Sequence, residues 1–553
     1  VPNTTVVGDS INTSGFIFNA PTTVDNNTYI AKLDFLLDSS SKHVAFLRGN
    51  LQDDKSTSAP QFPGMAPNNT GLNNSKGIAT GLTSALSPQM VNNFRYGLTR
   101  VGFENSGVSL LPFVTFRTID SLNGTNRPFI RTTPVHTIAD DFSWMRGKHE
   151  LKFGFVSRFI RNSRLNYSNS FPSASTNSSW LVSSGAELNR PLTDIRSTAI
   201  NAYRDAAMAV LGVVSQGNAS YNYNKDGSPL PVGGGVPRQF NGEEYELYAQ
   251  DTWRMSRALT LTYGLRWSLM PPVYEANGVQ TVSRQPLSEW FADRSGAADL
   301  GAPQSIAKPV EYVLKEQPGG RDLYPFHKKN FAPRLAMAYS PQGTGGLSKF
   351  LFGAPGRTAI RAGWGMYYDL MGAGIITNYD VSALGLSTSI TNPSATLSLS
   401  TAPRYQGLNT IPNGLLVPPP AAGFPQTAPN VFAITNSLDD VLQTPYTMNL
   451  NFSVSREFDG GWFVQGSYVG RLSRRSLMSE DIAMPTNYKD QASGVRYFEA
   501  ASQLARLAVN EAPVASVQPI PFWENLYGNI AGSGLTATQR VYQRYLANAP
   551  DYT

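Results

Sequence analysis

The side chains that could do acid–base chemistry are four pairs of adjacent carboxylates. The pairs are Asp53-Asp54, Asp140-Asp141, Glu243-Glu244 and Asp439-Asp440. A catalytic carboxylate pair needs an environment that separates the two pKa values, and solvated carboxylates do not have one. All four pairs fall in predicted loops or at the ends of predicted strands. We therefore expect no catalytic residues, and the sequence favours a protein that is not an enzyme.

Other catalytic and cofactor chemistries are poorly supported. The chain has no cysteine, which excludes disulfides, cysteine zinc sites, iron–sulfur clusters and thiol catalysis. Its four histidines have no ligand-like spacing: His43, His136, His149 and His327. The only run of three glycines, Gly233-Gly234-Gly235, matches no phosphate-binding pattern, and there is no metalloprotease, esterase or calcium-loop motif. We expect no cofactor and no metal.

Five arginines are the most informative polar positions, because each alternates with apolar neighbours in a strand-like segment. They are Arg95, Arg158, Arg266, Arg334 and Arg361. If the sheet closes, these side chains line its lumen, contact the carboxylates of a plug or steer an anionic solute. The alternative, which the sequence favours, is ion pairing with Glu or Asp of neighbouring strands. Glycines on the same face are expected to permit curvature or close approach: Gly154, Gly264, Gly363 and Gly365.

These positions belong to segments with a two-residue hydrophobic rhythm. In Tyr446–Ser455 the apolar residues alternate with Thr, Asn and Ser, and Leu259–Trp267 repeats the pattern. Successive strand side chains point to opposite faces, so one face is apolar and the other polar. About twelve such segments occur. Half-buried strands of soluble sandwiches alternate in the same way, so the rhythm alone leaves both architectures open.

The lengths of the connectors favour a membrane barrel. Short turns are predicted at Ser39–Lys42, Ser87–Met90, Arg146–Lys148, Ser256–Ala258 and Phe458–Gly461. They alternate with long polar stretches at about Gln52–Ser75, Asn105–Pro134, Asn162–Asn241, Pro271–Lys329 and Met371–Gln443. Outer-membrane barrels combine short periplasmic turns with long extracellular loops. The predicted fold is all-β, an antiparallel transmembrane β-barrel, and the predicted location is the bacterial outer membrane.

The composition agrees with this class. Charged residues make up 15% and aromatic residues 11% of the 553 residues, and no apolar run approaches the roughly 18 residues of a membrane helix. The net charge of +6 comes from dispersed basic residues, so no nucleic-acid partner is expected. Seven aromatic residues are predicted to form girdles at the membrane surfaces, although aromatic residues also favour strands in general. They are Trp144, Trp253, Trp267, Tyr339, Trp364, Tyr446 and Trp462.

Several strings resemble the barrel of TonB-dependent outer-membrane receptors, in particular the Oar-like group. The most specific is Tyr245–Trp253 followed by Leu259–Arg266, and Asp141–Gly154 and Ser87–Gly97 are similar to other hairpins of that barrel. Shorter similar strings are Asn330–Leu335, Gly356–Gly365, Thr444–Tyr446 and Gly466–Gly470. The resemblance spans roughly Tyr29 to the end of the chain.

The resemblance implies an interior part of a barrel of about 22 strands, without the plug and the C-terminal strands. It further implies energy-coupled uptake of an unknown solute, with outer-membrane lipid, lipopolysaccharide and the TonB–ExbB–ExbD complex as partners. A passive porin, an adhesion or secretion protein, and a soluble β-rich adhesin remain alternatives. The expected organisation is an extension over 1–28, barrel strands and loops over 29–470, and a truncated extracellular loop over 471–553. Unpaired sheet edges are not viable in lipid, so we expect that such a part does not insert alone.

Overall fold

The computed structural model describes most of the chain. The described residues are 2–6, 14–117, 119–168, 170–178, 199–301, 310–343, 345–372, 374–375, 386–392, 399–416, 419, 426–427, 437–481 and 487–548. They form two compact units. The first comprises Val1–Val282, Tyr312–Leu438 and Leu442–Leu477, and the second Ser283–Glu311, Asp439–Val441 and Met478–Thr553.

The first unit is built on one large antiparallel sheet whose strands follow each other in chain order. Its long strands are β1 (Val24–Leu36), β2 (His43–Thr57), β4 (Lys76–Ser87), β5 (Met90–Asn105), β7 (Phe129–Arg146), β8 (His149–Asn166), β11 (Val236–Trp253), β12 (Leu259–Leu269), β16 (Asn330–Tyr339), β17 (Thr358–Tyr368), β20 (Tyr446–Glu457) and β21 (Phe463–Arg474). Two short strands join them, β3 (Thr70–Asn73) and β13 (Tyr274–Glu275). The predicted antiparallel β architecture is therefore confirmed, and the large sheet contains twelve long strands among the described residues, against about twelve predicted.

Short elements fill the long connectors. A four-stranded sheet contains β6 (Phe113–Phe116), β9 (Ser173–Thr176), β10 (Gln216–Asn222) and β18 (Ser387–Asn392). A three-stranded sheet contains β14 (Thr281–Ser283), β15 (Glu311–Leu314) and β19 (Gln426–Thr427). Helix α1 is Ile200–Val210. The stretches predicted as loops thus contain regular structure.

Three strands extend well beyond the prediction. The sequence predicts strands over His136–Met145 and Tyr245–Met255, whereas β7, β8 and β11 each have 18 residues. A membrane strand needs only about 9–11 residues. The added residues of β8 and β11 pair in unbroken antiparallel register from Val236↔Asn166 onward, at the end of the sheet with long connectors. Strand β1 likewise begins at Val24, inside the predicted extension 1–28, because its polar first residues pair with β2.

The register divides the sheet into an apolar face and a polar face. On the apolar face, the β20 residues Tyr446, Met448, Leu450, Phe452 and Val454 pair with Tyr368, Met366, Trp364, Ala362 and Ile360 of β17. The same face continues through Leu335 of β16 and Tyr263 of β12. At the other end of the sheet it contains Leu47 of β2 paired with Leu33 of β1. Residues paired across antiparallel strands share a face, so the two-residue rhythm becomes a continuous apolar surface.

The predicted tight turns are present, and Asp38 organises the first of them. Its carboxylate accepts hydrogen bonds from the backbone N–H groups of Ser40, Lys42 and His43, at 2.9, 3.1 and 2.6 Å. A hydrogen bond from the Ser40 hydroxyl and these N–H groups holds the pKa of the Asp38 carboxyl below its usual range. The connector from β16 to β17 is the exception on this side, because it contains helix α3 (Gly346–Phe352).

The second unit is helical and has its own core. Its helices are α2 (Leu287–Asp299), α4 (Tyr497–Val509), α5 (Pro521–Tyr527) and α6 (Ala537–Asn548). Leu504, Phe522, Trp523 and Tyr542 are buried together. The stretch 471–553, expected from the sequence as a truncated extracellular loop, contains the helices α4, α5 and α6. In the part of the chain that the structure describes, no helix is both long enough and apolar enough to cross a bilayer.

Glu524 holds the start of α6 in place. Its carboxylate accepts hydrogen bonds from the N–H groups of Ala537 and Thr538, at 3.2 and 2.8 Å, and from the Thr538 hydroxyl at 2.6 Å. Burial raises the pKa of the Glu524 carboxyl, but these hydrogen bonds outweigh burial and lower the pKa from its usual value. A carboxylate at a helix N-terminus satisfies free N–H groups and favours the helix dipole.

Candidate functional site

The five arginines singled out in the sequence lie on the polar face of the large sheet. Their register partners on neighbouring strands are Gly81 and Ala139 for Arg95, Thr137 and Glu244 for Arg158, Tyr248 and Ala332 for Arg266, Gly264 and Gly365 for Arg334, and Ala338 and Ser453 for Arg361. Most of these partners are small or polar, so the long guanidinium side chains have room to lie across the neighbouring strand. The polar face is thus a basic surface that spans most of the sheet.

Three of the arginines pair with acids of neighbouring strands. Arg158 Nη1 lies 2.6 Å from Glu244 Oε2, and the Glu244 side chain is 7% exposed. Arg266 Nη1 lies 2.7 Å from Glu246 Oε2. Arg95 pairs with Asp141. A buried carboxylate requires such a partner, because an uncompensated buried charge is strongly destabilising.

Tyr248 connects two of these pairs into one network. Its hydroxyl donates to Asp141 Oδ1 at 2.6 Å, and the Arg266 guanidinium lies 5.4 Å from the centre of its ring. Gly154 makes this possible, since a Cβ at that position would lie 2.2 Å from the Tyr248 ring. The network therefore extends from Arg95 through Asp141 and Tyr248 to Arg266. From the sequence, Gly154 is expected to permit curvature or close approach. In the structure it leaves room for the Tyr248 ring.

The other two arginines have different environments. The Arg334 guanidinium lies 4.5 Å from the centre of the Tyr367 ring. Gly365 lies beneath this contact, with Arg334 and Tyr367 both near its position. Arg361 faces Ala338 and Ser453, and no ion pair to it occurs among the described residues. The expected pairing with neighbouring acids therefore holds for Arg95, Arg158 and Arg266 and is not seen for these two.

A second group of arginines on the polar face was missed by the sequence reasoning. Arg131 of β7 pairs with Arg164 of β8, and Arg164 pairs with Arg238 of β11. The Arg131 guanidinium lies 5.6 Å from the Phe103 ring and that of Arg164 5.0 Å from the Phe129 ring. These arginines belong to strand extensions that the sequence predicts as loops. Continuing the two-residue count past the predicted strand ends would have found them.

In two of the four carboxylate pairs, Asp140-Asp141 and Glu243-Glu244, the two adjacent side chains point to opposite faces of the sheet. Neighbouring residues of a strand point to opposite faces, so Asp140 and Asp141 diverge, and Asp140 accepts from Asn92 Nδ2 at 2.9 Å. Glu243 likewise accepts from the Tyr245 hydroxyl at 2.8 Å, on the face opposite Glu244. In the second unit Asp440 accepts from Ser288 N–H and Oγ at 2.9 and 2.7 Å. Within the described part of the chain, no three His, Asp or Glu side chains are grouped as metal ligands.

The aromatic residues predicted as girdles lie mainly near the strand ends. Trp144, Trp253 and Tyr339 are at the end with short turns, and Trp462 lies in the turn between β20 and β21. Trp267 and Tyr446 are at the opposite end. Trp364 differs, because it lies in the middle of β17. It therefore lies in the apolar band between the strand ends. Alternation predicts the face of the sheet on which Trp364 lies, but not its distance from the ends of the strand.

The short-turn end of the apolar face also carries a polar cluster. His149 Nδ1 lies 2.7 Å from Asp251 Oδ2, and the Tyr263 hydroxyl donates to the same oxygen at 2.8 Å. The His149 ring stacks on Trp253 with 5.5 Å between ring centres. Tryptophan and tyrosine rings with one polar edge are favoured at the headgroup level of a bilayer.

A meander of long antiparallel strands with one apolar and one charged face defines the class: a β-sheet membrane protein. The chain belongs to the outer membrane beta barrel domain family, which matches residues 1–540. It is therefore a protein of the outer membrane.

The chain also matches solved structures, at low sequence identity and low TM-score. The ferripyoverdine receptor of the outer membrane of Pseudomonas aeruginosa is 9% identical, with a TM-score of 0.38, and the match covers 82% of this chain and 42% of that one. The FrpB iron transporter of Neisseria meningitidis is 10% identical, with a TM-score of 0.37 and coverages of 82% and 45%. The copper transporter OprC is 10% identical, with a TM-score of 0.36 and coverages of 81% and 45%. The chain spans less than half the length of these proteins, and no curated protein matches it.

Proposed function

We propose that this chain is the barrel part of an outer-membrane receptor that takes up a solute by energy-coupled transport. In this proposal the polar face of the large sheet lines the interior, where it meets a plug and the passing solute. The apolar face meets lipid. The observation that carries the proposal is the charged network from Arg95 to Arg266, which occupies one face of the sheet and leaves the other apolar.

The cost of charges in lipid supports this assignment of the faces. An arginine on the lipid side of an outer-membrane barrel costs about 2–4 kcal/mol at the bilayer midplane. The polar face carries Arg95, Arg158, Arg266, Arg334 and Arg361 on five different strands. At the midplane, five such arginines in lipid would cost about 10–20 kcal/mol. That cost is comparable to or larger than the whole unfolding free energy of an ordinary domain, about 5–15 kcal/mol. Water or another protein segment must therefore contact it.

The resemblance of the hairpin sequences to TonB-dependent receptors supports energy coupling. A plugged interior requires work to open, and the proposed source is the TonB–ExbB–ExbD complex. The residues identify no solute. A passive porin and an adhesion or secretion protein are the competing outcomes. The soluble adhesin is not proposed, because the family belongs to the outer membrane.

The test is the exposure of the polar face in cells with and without the energy source. Because the chain has no cysteine, Arg361→Cys introduces a single thiol on the polar face and Leu450→Cys a matched one on the apolar face. We expect a hydrophilic maleimide to react with Arg361→Cys faster when TonB is present, and not at all with Leu450→Cys.

The conductance of the purified full-length protein in KCl separates the alternatives. The proposal predicts a closed state without steady current. A stable open channel together with TonB-independent labelling of Arg361→Cys would contradict it and favour the porin. A closed state with TonB-independent labelling would contradict energy coupling and favour adhesion or secretion.

A further inference from the structure

Helix α3 exposes an apolar face at the short-turn end of the large sheet. Leu347, Phe350 and Leu351 lie at i, i+3 and i+4 and therefore on one side of the helix. Their side chains are 72%, 73% and 47% exposed. Lys349 points away from this side, about half a turn round the helix. A seven-residue helix that exposes three large apolar side chains on one side is not a stable arrangement in water.

The position of the helix is fixed by the two strands beneath it. The Phe352 carbonyl accepts from the Thr358 hydroxyl at 2.7 Å, and the Leu351 carbonyl accepts from Arg456 Nη1 at 2.5 Å. Thr358 and Arg456 are register partners, and both continue the alternation of Ile360 and Val454. They therefore lie on the apolar face. The C-terminal end of α3 is held on the side of the sheet that meets lipid.

The surroundings of α3 are basic. The β11–β12 turn carries the exposed residues Arg254 and Arg257, and Ser340 N–H of the α3 connector donates to Ala258 of this turn at 2.7 Å. Arg146 and Lys148 are exposed in the next turn along the sheet. The nearby Asp459 is paired with Arg357. Basic residues beside an apolar helix face attract anionic phospholipid headgroups.

We propose that α3 is an interfacial helix that inserts Leu347, Phe350 and Leu351 into the periplasmic leaflet, with anionic phospholipid headgroups bound by the neighbouring arginines and lysines. The occupant of this surface is lipid because the helix continues the apolar face, which already requires lipid. Insertion at the boundary of headgroups and acyl chains reaches about 5–10 Å. The helix thereby fixes the depth of the β16–β17 hairpin in the membrane, a property separate from solute transport.

The test uses single thiols on the full-length protein in vesicles of phosphatidylethanolamine and phosphatidylglycerol. Phe350→Cys probes the apolar side of α3, Lys349→Cys is the matched control on the same helix, and Leu450→Cys reports the lipid contact of the sheet. Each variant is labelled with a polarity-sensitive fluorophore, and the acyl chains are either plain or brominated. Leu351→Cys serves as a second probe if Phe350→Cys does not fold.

Bromine quenches a fluorophore only at short range. We expect Phe350→Cys to be quenched by a factor similar to Leu450→Cys, and Lys349→Cys to keep its emission. Quenching at Leu450→Cys without quenching at Phe350→Cys overturns the inference, because the helix then lies in water or against a protein. Equal quenching at Phe350→Cys and Lys349→Cys also overturns it. Absence of quenching at Leu450→Cys refutes the lipid-facing assignment itself, on which the inference rests.

Discussion

Charged residues on the polar face are stabilised by partners on neighbouring strands, and the strand register decides which residues become partners. Glu244 is nearly buried, and Arg158 at 2.6 Å is the cation beside it. The pair joins β8 to β11, two of the three strands with 18 residues. The same dependence applies to Asp141, which receives both Arg95 and the Tyr248 hydroxyl. The acids on this face are therefore structural partners of the arginines.

The substitution Arg158→Met tests this dependence. We expect a loss of about 1–3 kcal/mol of unfolding free energy, because the Glu244 carboxylate is left without its charged partner. The double variant Arg158→Met/Glu244→Met should recover part of the loss. The measurement is the denaturant midpoint of the membrane-embedded protein. Arg361→Met is the matched control, since the structure shows no ion pair for Arg361 in its described part, and equal losses in both variants would contradict the account.

At the scale of elements, glycines on the polar face make room for cross-strand contacts. Gly154 lies under the Tyr248 ring, and Gly363 lies beside the Asn451 side chain. Without Cβ atoms at these positions, the larger partner can lie flat across the strand. Such contacts stabilise one register over its neighbours.

Gly154→Val should disturb the network that Tyr248 holds together. The new side chain overlaps the ring, so Tyr248 must rotate and lose its hydrogen bond to Asp141. We expect a cost of about 1–3 kcal/mol from overpacking, read from the denaturant midpoint. Gly97→Val is the control, because nothing lies within 4 Å of a Cβ at Gly97. A cost for Gly97→Val as large as for Gly154→Val would show that strand glycines matter only for backbone freedom.

The start of α6 gives a prediction with a defined pH dependence. The folded-state pKa of Glu524 is lowered, so its contribution to stability is present above the unfolded value of about 4.3 and is lost as the pH falls through the folded value. Glu524→Gln should weaken α6 by about 1 kcal/mol at neutral pH. Hydrogen exchange of the α6 amides in the full-length protein measures it.

Comparing the native protein with Glu524→Gln at several pH values tests whether the charge of Glu524 stabilises α6. The difference in α6 exchange between the native protein and Glu524→Gln should be largest at neutral pH and disappear in acid. Glu511→Gln is the control, because Glu511 is an exposed acid of the same unit. A difference that persists in acid would mean that the hydrogen bonds, and not the charge, stabilise the helix.

The elements that the sequence predicts are those whose two faces differ in chemistry. Tyr446–Ser455 alternates apolar and polar residues without a break, and β20 is found at Tyr446–Glu457. The extensions of β7 and β8 carry Arg131, Arg161 and Arg164 among polar residues. The sequence therefore predicts loops there, although the two strands pair with each other in the structure. The helical unit was missed for another reason. Its core joins segments far apart in the chain, Ala298 with Leu504 and Tyr542, and no local pattern encodes that.

The candidate site was predictable only in part. Alternation alone predicts that Arg95 and Arg266 lie on the polar face. The face of a residue depends only on whether it is an odd or an even number of positions from the apolar residues of its own strand. Which acid each arginine meets depends on the register between strands, which the sequence does not specify here. Trp364 shows the same limit, because parity gives its face and not its depth in the membrane.

At the scale of the whole molecule, the account depends on two chemically different faces of one sheet. The apolar face is continuous from β1 to β21, while the polar face carries the arginine network. Membership of the outer membrane beta barrel domain family places this sheet in a bilayer. Transport through the interior is proposed on that basis, together with the insertion of α3 at the periplasmic surface.

The most direct test is a nitroxide scan along β20, which is paired on both sides by β17 and β21. Each residue from Thr447 to Ser453 is replaced in turn by a spin-labelled cysteine in the membrane-embedded protein. Collisions with oxygen, which dissolves in lipid, should peak at positions 448, 450 and 452. Collisions with a water-soluble nickel chelate should be weak there, and oxygen should be less accessible at 447, 449, 451 and 453. Uniform oxygen accessibility along the strand, or the opposite phase, would contradict the account.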